Sequence, residues 1–455
     1  MSNHSAPRPR RLRSLLLAAL LTLVAAPAAA SPSIEHWTTD NGLDVYFVRS
    51  PDLPLLDLEL TFAAGSTRDG DTPGLARLTS NLLDEGAGGL DAGELARRFE
   101  DHGAELSASS DRDTASVRLR TLSDSDTRSA ALEALGLVLS EPDFPEEAVA
   151  RERQRLLTQL DNNQQDPGYL AREAFWEALY GDHPYGHQPG GTESGLEAVE
   201  RDAVTEFFEE YYVRANASLT IVGDVSRDRA ETMAHRLGDS LDQGEEAAAI
   251  PEPDASDRAG ETIHVPFSSN QSHVLSGQVA YARGHPDHYA LYTGNHILGG
   301  SGLVSQLAQA MREDRGLSYS VGSRFSPMKR AGPFLIRTQI RSDRTAEALD
   351  VLATTVSDLR DDGPEAEDHE RAVKNITGSF PRRLADNRSI LAHVANIGFH
   401  GLPLDYLETF PERIEALEPG DVQEALRKHL EPEAFVTVIV GPRDAEGETP
   451  EDDDS

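Results

Sequence analysis

Two stretches of this chain repeat one another. Leu196–Asp224 aligns without a gap on Ile414–Pro442. The identical pairs include Glu197/Glu415, Ala198/Ala416, Glu200/Glu418, Val204/Val422 and Glu206/Glu424, and then Ile221/Ile439, Val222/Val440 and Gly223/Gly441. Each copy reads as a helix followed by a β-branched strand and a glycine turn. A unit that closes both halves in the same way points to tandem copies of one α+β domain, each about 200 residues long and within the usual size range. Between them, residues 241–260 are polar and Pro-bearing, the composition of a linker. The expected division is 31–240 for the first domain, 261–443 for the second and 444–455 for an acidic tail.

The first thirty residues are of another kind. Arg8, Arg10, Arg11 and Arg13 precede an apolar run from Leu15 to Ala26, and Ala28-Ala29-Ala30 follows. That is the pattern of a secretory leader cleaved before Ser31. The run is too short for a membrane span, which takes about 20 apolar residues. The expected mature protein is exported and has no stable membrane insertion. The chain has no cysteine, which excludes disulfides and thiolate metal sites and suits a periplasm. Its formal charge is −36, and loss of the four leader arginines takes it to −40. Such a charge argues against nucleic acid and against anionic membrane surfaces. It reads as a solvated acidic surface, as in a saline habitat.

Thr72 to Gly86 reads as a helix, with Thr72 as N-cap and Pro73 at the first helical position. Leu75, Leu78 and Leu82 form one buried stripe, and Arg77, Ser80 and Asn81 fall at i, i+3, i+4 on a polar face. By itself this is an ordinary amphipathic helix.

The same segment, with Gly42-Leu43-Asp44-Val45-Tyr46-Phe47-Val48, His183-Pro184-Tyr185-Gly186, Asn270-Gln271-Ser272-His273 and Ile297-Leu298-Gly299-Gly300, resembles the pitrilysin/insulinase zinc peptidases in order and spacing. The resemblance covers nearly all of the chain after the leader. It implies two similar domains, each a mostly antiparallel sheet packed with helices, closing like a clam around a peptide. In that family His-x-x-Glu-His on the helix supplies two zinc ligands and a general base. Here the positions read Arg77, Ser80 and Asn81, a degenerate zinc site, so no metal is expected in this chain. The third ligand, a glutamate about 75 residues on, is expected near Arg151–Gln159. The pattern there sets Thr158-Gln159 at that position and Glu152 two turns too early, so restoring the helix motif alone would leave a zinc site incomplete. One family feature matches. Arg312 and Tyr319, seven residues apart within Arg312–Tyr319 (REDRGLSY), have the spacing of a pair that reaches the family's active site. The resemblance implies Arg312 for substrate binding, and Tyr319 both for substrate binding and as a catalytic oxyanion donor in complex with a partner. Without it, Tyr319 reads as a packed residue and Arg312 as a surface charge. The implied function is the non-catalytic subunit of a heteromeric zinc metallopeptidase that binds peptide substrates. The zinc would be in a homologous partner subunit. The alternative is a structural or assembly protein of the same fold.

Three other motifs are weaker. His183 and His187 are separated by Pro184 and Gly186, so they share no helical face and read as a surface loop. Gly299-Gly300-Ser301-Gly302 lacks the Lys-Ser/Thr of a phosphate loop and reads as a tight turn into a helix. Asn216-Ala217-Ser218 fits a glycosylation pattern but leads into a buried-looking strand.

Overall fold

The computed structural model describes Ser2 and residues 32–442; the rest of the expected leader (1–30) and the acidic tail (444–455) lie outside the described residues. The chain forms two sheets and a small hairpin. The first sheet holds β1 (Glu35–Thr38), β2 (Asp44–Arg49), β3 (Leu55–Phe62), β6 (Glu105–Ser110), β7 (Ala115–Leu122) and β8 (Ala217–Gly223), with the hairpin β4 (Gly86–Ala87) and β5 (Leu90–Asp91) beside it in sequence. The second holds β9 (Thr262–Pro266), β10 (Gln271–Tyr281), β11 (Ser318–Phe325), β12 (Gly332–Arg341) and β13 (Val436–Gly441).

The strand orders are β1-β2-β8-β3-β7-β6 and β11-β12-β10-β13-β9. Without β1 they are the same order, with β2, β3, β6, β7 and β8 standing for β9, β10, β11, β12 and β13. In each sheet one pair is parallel, β2 with β8 and β13 with β9, and the rest are antiparallel. The duplication visible in the repeated segment therefore extends through the whole fold. The repeated strands are β8 and β13 themselves, the last strand of each half, inserted beside the first.

Strand β3 shows how the layers form. Leu56, Leu58, Leu60 and Phe62 alternate with Asp57, Glu59 and Thr61, so the two sets face opposite sides of the sheet. The apolar set packs on the first half's own helices, among them Ser125–Ser140 and Arg227–Asp239. An alternating strand ordinarily leaves its polar side in water, yet Asp57 and Glu59 are also buried. Each is matched by an arginine on β7, Arg120 Nε to Asp57 at 2.7 Å and Arg118 Nε to Glu59 at 2.9 Å.

The cover on that face comes from the other half. Helix Asn387–His400 of the second half lies on β3 and β8, and Leu391 and Val394 join Tyr46, Val48 and Val222 in one apolar cluster. The exchange is reciprocal. Helix Pro167–Tyr180 of the first half lies on β10 and β13, where Phe175 and Leu179 pack against Leu275, Leu335, Val438 and Val440. Each half thus completes the core of the other. Fully burying a Leu, Val or Phe side chain contributes about 1.5–3 kcal/mol, so two such clusters hold the halves firmly together.

Residues 241–260 carry no helix or strand but are tied to both halves. The Ala247 N–H donates to the Asn216 side chain at 3.2 Å, and the Ser256 hydroxyl to the Ala178 carbonyl at 2.6 Å. Arg330 of the second half donates to the Ile250 carbonyl at 2.6 Å. Asn216 is buried, with its amide on the Tyr211 carbonyl at 2.8 Å, a structural anchor rather than an open glycosylation site.

Candidate functional site

The helix that carries Arg77, Ser80 and Asn81 runs over Leu75–Asn81, shorter than the stretch expected from Thr72 to Gly86. Its start differs from the sequence reading too. Gly74, not Thr72, is the N-cap, at φ 110° in the left-handed region, and a side chain there would also strike Leu196 Cδ2 at 2.6 Å. The free N–H groups are taken by Asp69, which accepts from Gly74 N and Ala76 N at 2.8 Å each. A buried carboxylate on the positive end of a helix is favourable on both counts. Asp69 is held in turn by His187 Nε2 at 3.1 Å. His187 therefore braces this helix, while His183 bonds the Tyr185 N–H and faces the Pro251 carbonyl, so the two rings serve separate contacts.

Around the helix the polar positions satisfy one another. Ser80 is buried, and its hydroxyl donates to the Arg77 carbonyl at 2.9 Å. The Asn81 amide donates to Glu152 Oε1 at 2.6 Å. Arg155 Nε donates to Glu152 Oε2 at 2.7 Å. Arg77 is half-buried, and burial holds its guanidinium below the ordinary arginine range against the attraction of Asp111.

This arrangement corrects the third-ligand assignment. Helix Glu146–Asn163 turns Glu152, not Thr158 or Gln159, toward Asn81. Thr158 and Gln159 are exposed, and the Thr158 hydroxyl bonds back to the Gln154 carbonyl. A signal was available. Ala148, Val149, Glu152, Leu156 and Leu160 form the buried stripe of this helix, and a carboxylate inside an apolar stripe calls for a partner.

The donor set does not fit a zinc ion. Zinc takes His, Cys or carboxylate donors, at least three from the protein. Glu152 is one, already paired with Arg155 and hydrogen-bonded by Asn81. Ser80 is turned to its own backbone, and Arg77 adds a fixed positive charge.

The second half is arranged in the opposite way. Arg312 ends a short helical turn over Gln309–Glu313, and Tyr319 lies at the start of β11, the edge strand of its sheet. Ser318 pairs with Ile340 and Ser320 with the adjacent Gln339, so Tyr319 is an extra residue, a β-bulge. The bulge turns its side chain out, 80% exposed. Arg312 Cζ stands 5.1 Å from the ring centroid, a cation–π contact. The structure therefore brings the two residues together and leaves the Tyr319 hydroxyl free of any protein partner among the described residues. Nearby in sequence, Leu303 and Val304 are also exposed, on the turn that follows Gly302. Ser305 then caps the next helix, as expected of a turn rather than a phosphate loop.

Between the halves lies a cleft of about 580 Å³, lined by Arg112, Arg118 and Trp176 from one side and Arg324, Met328 and Asn396 from the other. Arg112 Cζ stands over the Trp176 ring, 3.4 Å from its centroid. Burial lowers its guanidinium to about 10.

Comparison with known proteins agrees with this architecture. The family profile described as Insulinase (Peptidase family M16) matches residues 48–193, and that described as Peptidase M16 inactive domain matches residues 198–376. A crystal structure of a peptidase M16 inactive domain from Pseudomonas fluorescens is 35% identical, with a TM-score of 0.87 over 90% of this chain and 98% of that one. The chain belongs to the M16 (insulinase) peptidase family. Other M16-like relatives bear contrasting names. A protein of Bacillus subtilis named uncharacterized zinc protease YmxG is 22% identical over 414 residues, 90% of this chain and 98% of its own. One from Helicobacter pylori named non-peptidase homolog YmxG is 23% identical over 393 residues, 85% of this chain and 89% of its own. Among the described residues no helix is long and apolar enough to cross a membrane.

Proposed function

We propose that this chain is the substrate-holding, non-catalytic subunit of a heteromeric zinc metallopeptidase exported to the periplasm. Its partner would be a homologous M16 chain that supplies zinc, the bound water and the base glutamate. The observation that carries the reading is Tyr319, projected by a bulge, contacted by Arg312 and given no hydroxyl partner among the described residues. Exposing a tyrosine costs apolar burial, and a scaffold gains nothing from it. A donor whose acceptor is a developing oxyanion across an interface has reason to stand free. Exposed Leu303 and Val304, on the turn that precedes the Arg312 segment in sequence, offer apolar surface for a partner. The self-satisfied cluster around Glu152 supports the other part of the reading, that the chemistry lies elsewhere.

The test is reconstitution with an M16 chain that retains His-x-x-Glu-His. Tyr319→Phe should lower kcat about 100- to 1,000-fold, the usual cost of one oxyanion donor, with assembly and zinc content intact. Arg312→Ala should act mainly on KM. Wild-type kinetics from both variants would make the chain a structural or assembly protein instead.

A further inference from the structure

A second cavity, of about 480 Å³, opens beside the cleft and shares Arg324, Pro327, Ala392 and Asn396 with it. Its size is that of a ligand pocket, roughly 300–1,000 Å³. Its charge is unusual for a chain of net charge −36. Arg283, Arg324 and Arg383 line it, and no aspartate or glutamate does.

None of the three arginines has its charge met by a carboxylate. Arg383 donates to the Tyr292 hydroxyl at 2.7 Å. Arg283 Nε is buried without any hydrogen-bond partner. Arg324 stands near Arg337 and Arg172, and burial with those two cations lowers its guanidinium below the ordinary range. The lining histidines are held neutral and so add neither an anion nor a further cation. His393 is pushed down by burial and then by Arg383 and Arg283, and His288 to about 3 by burial and Arg283. Arg324 and Arg383 are exposed to solvent, but the Arg283 Nε is buried, and a buried charged donor left unmatched is costly. On β7, by contrast, Arg118 and Arg120 each pair with a carboxylate. The missing anion is therefore one that arrives from outside.

We propose that this cavity is a subsite for a carboxylate of the bound peptide, either an acidic side chain or the peptide's own C-terminus. The guanidinium fork matches the two oxygens of a carboxylate. The shared lining sets the cavity directly beside the cleft between the halves, within reach of one extended chain. That the ligand is a peptide rests on the substrate-holding role proposed above; the preference for negative charge rests on the cavity alone.

Fluorescence anisotropy on the full chain tests this with four labelled peptides of one length. One carries glutamate and an amidated C-terminus, one the glutamine equivalent with an amidated C-terminus, one glutamine with a free C-terminus, and one lysine with an amidated C-terminus. At least one carboxylate-bearing peptide should bind about 10- to 150-fold more tightly than the glutamine amide, the worth of one charged hydrogen bond or salt link. Which of the two does so identifies the source of the carboxylate. Arg283→Gln combined with Arg383→Gln should abolish the preference, so that the carboxylate-bearing peptides bind no more tightly than the glutamine amide. Should that variant fail to fold, salt decides on the wild-type chain. The preference must shrink between about 0.05 and 0.5 M salt, and a preference indifferent to salt overturns the proposal. Equal binding of all four peptides also overturns it while sparing the substrate-holding role. Binding of none overturns both.

Discussion

The two halves share one topology and treat their polar residues in opposite ways. In the first half, Arg77, Ser80, Asn81 and Glu152 sit inside, and Asn81, Ser80 and Glu152 bond to neighbours in their own chain. In the second half, Arg312 and Tyr319 sit on an edge strand with the tyrosine hydroxyl in solvent. A duplicated fold supplies equivalent positions, but it does not oblige both copies to use them alike. A site that no longer has a ligand to hold closes on itself, because buried polar groups must find partners. On the proposed reading, the Tyr319 site meets its ligand from outside and so stays open.

The comparison can be broken first at the exchanged helices. Phe175→Ala in the first half and Leu391→Ala in the second remove equivalent contributions to the opposite sheet. Each should cost about 3–5 and 2–5 kcal/mol respectively in urea unfolding, and both residues are buried in the inter-half clusters. A loss below about 1 kcal/mol in either would mean that the halves do not complete one another. A smaller effect is expected where the first half alone braces its ligand helix. Asp69→Ala removes the acceptor of two helix-start N–H groups and the partner of His187. It should cost about 1–3 kcal/mol, and an unchanged midpoint would show that the cap is idle.

The third effect is confined to the second half and depends on pH. His288 accepts from the Tyr281 hydroxyl or donates to it at 3.0 Å, and burial takes its ring to about 3 from an ordinary 6.5. Between those values the unfolded chain binds a proton that the folded chain does not. Stability should therefore be flat above about pH 6.5 and fall as pH drops toward 3. His288→Asn should lessen that fall in denaturant titrations at several pH values. An identical slope in the variant would assign the acid sensitivity to other groups.

Much of this was legible in the sequence, and the failures have physical causes. The repeat at Leu196–Asp224 and Ile414–Pro442 exposed the duplication because a buried strand and its preceding helix tolerate little change in pattern. The loss of zinc ligands at Arg77, Ser80 and Asn81 could be read directly from residue chemistry. The cap was missed because Asp69 reaches the helix start across a loop, a contact that no local motif marks. Glu152 escapes motif spacing because its position is marked by burial instead, as the one carboxylate in the apolar stripe of its helix. The polar face of β3 was unreadable for a different reason. Its cover comes from Asn387–His400, over 300 residues away in sequence, and alternation cannot reveal a distant helix. The carboxylate-free cavity likewise gathers Arg283, Arg324 and Arg383 from separate elements.

The most direct test of the account is zinc content, measured after dialysis in the wild-type chain and in a variant carrying Arg77→His, Ser80→Glu and Asn81→His. With Glu152 already facing the helix, the variant has three ligands and a base, and Arg155, its side chain 58% exposed, has room to swing aside. The account predicts no stoichiometric zinc in the wild type and one zinc per chain in the variant. A wild-type chain that holds one zinc, or a folded variant that holds none, would contradict it.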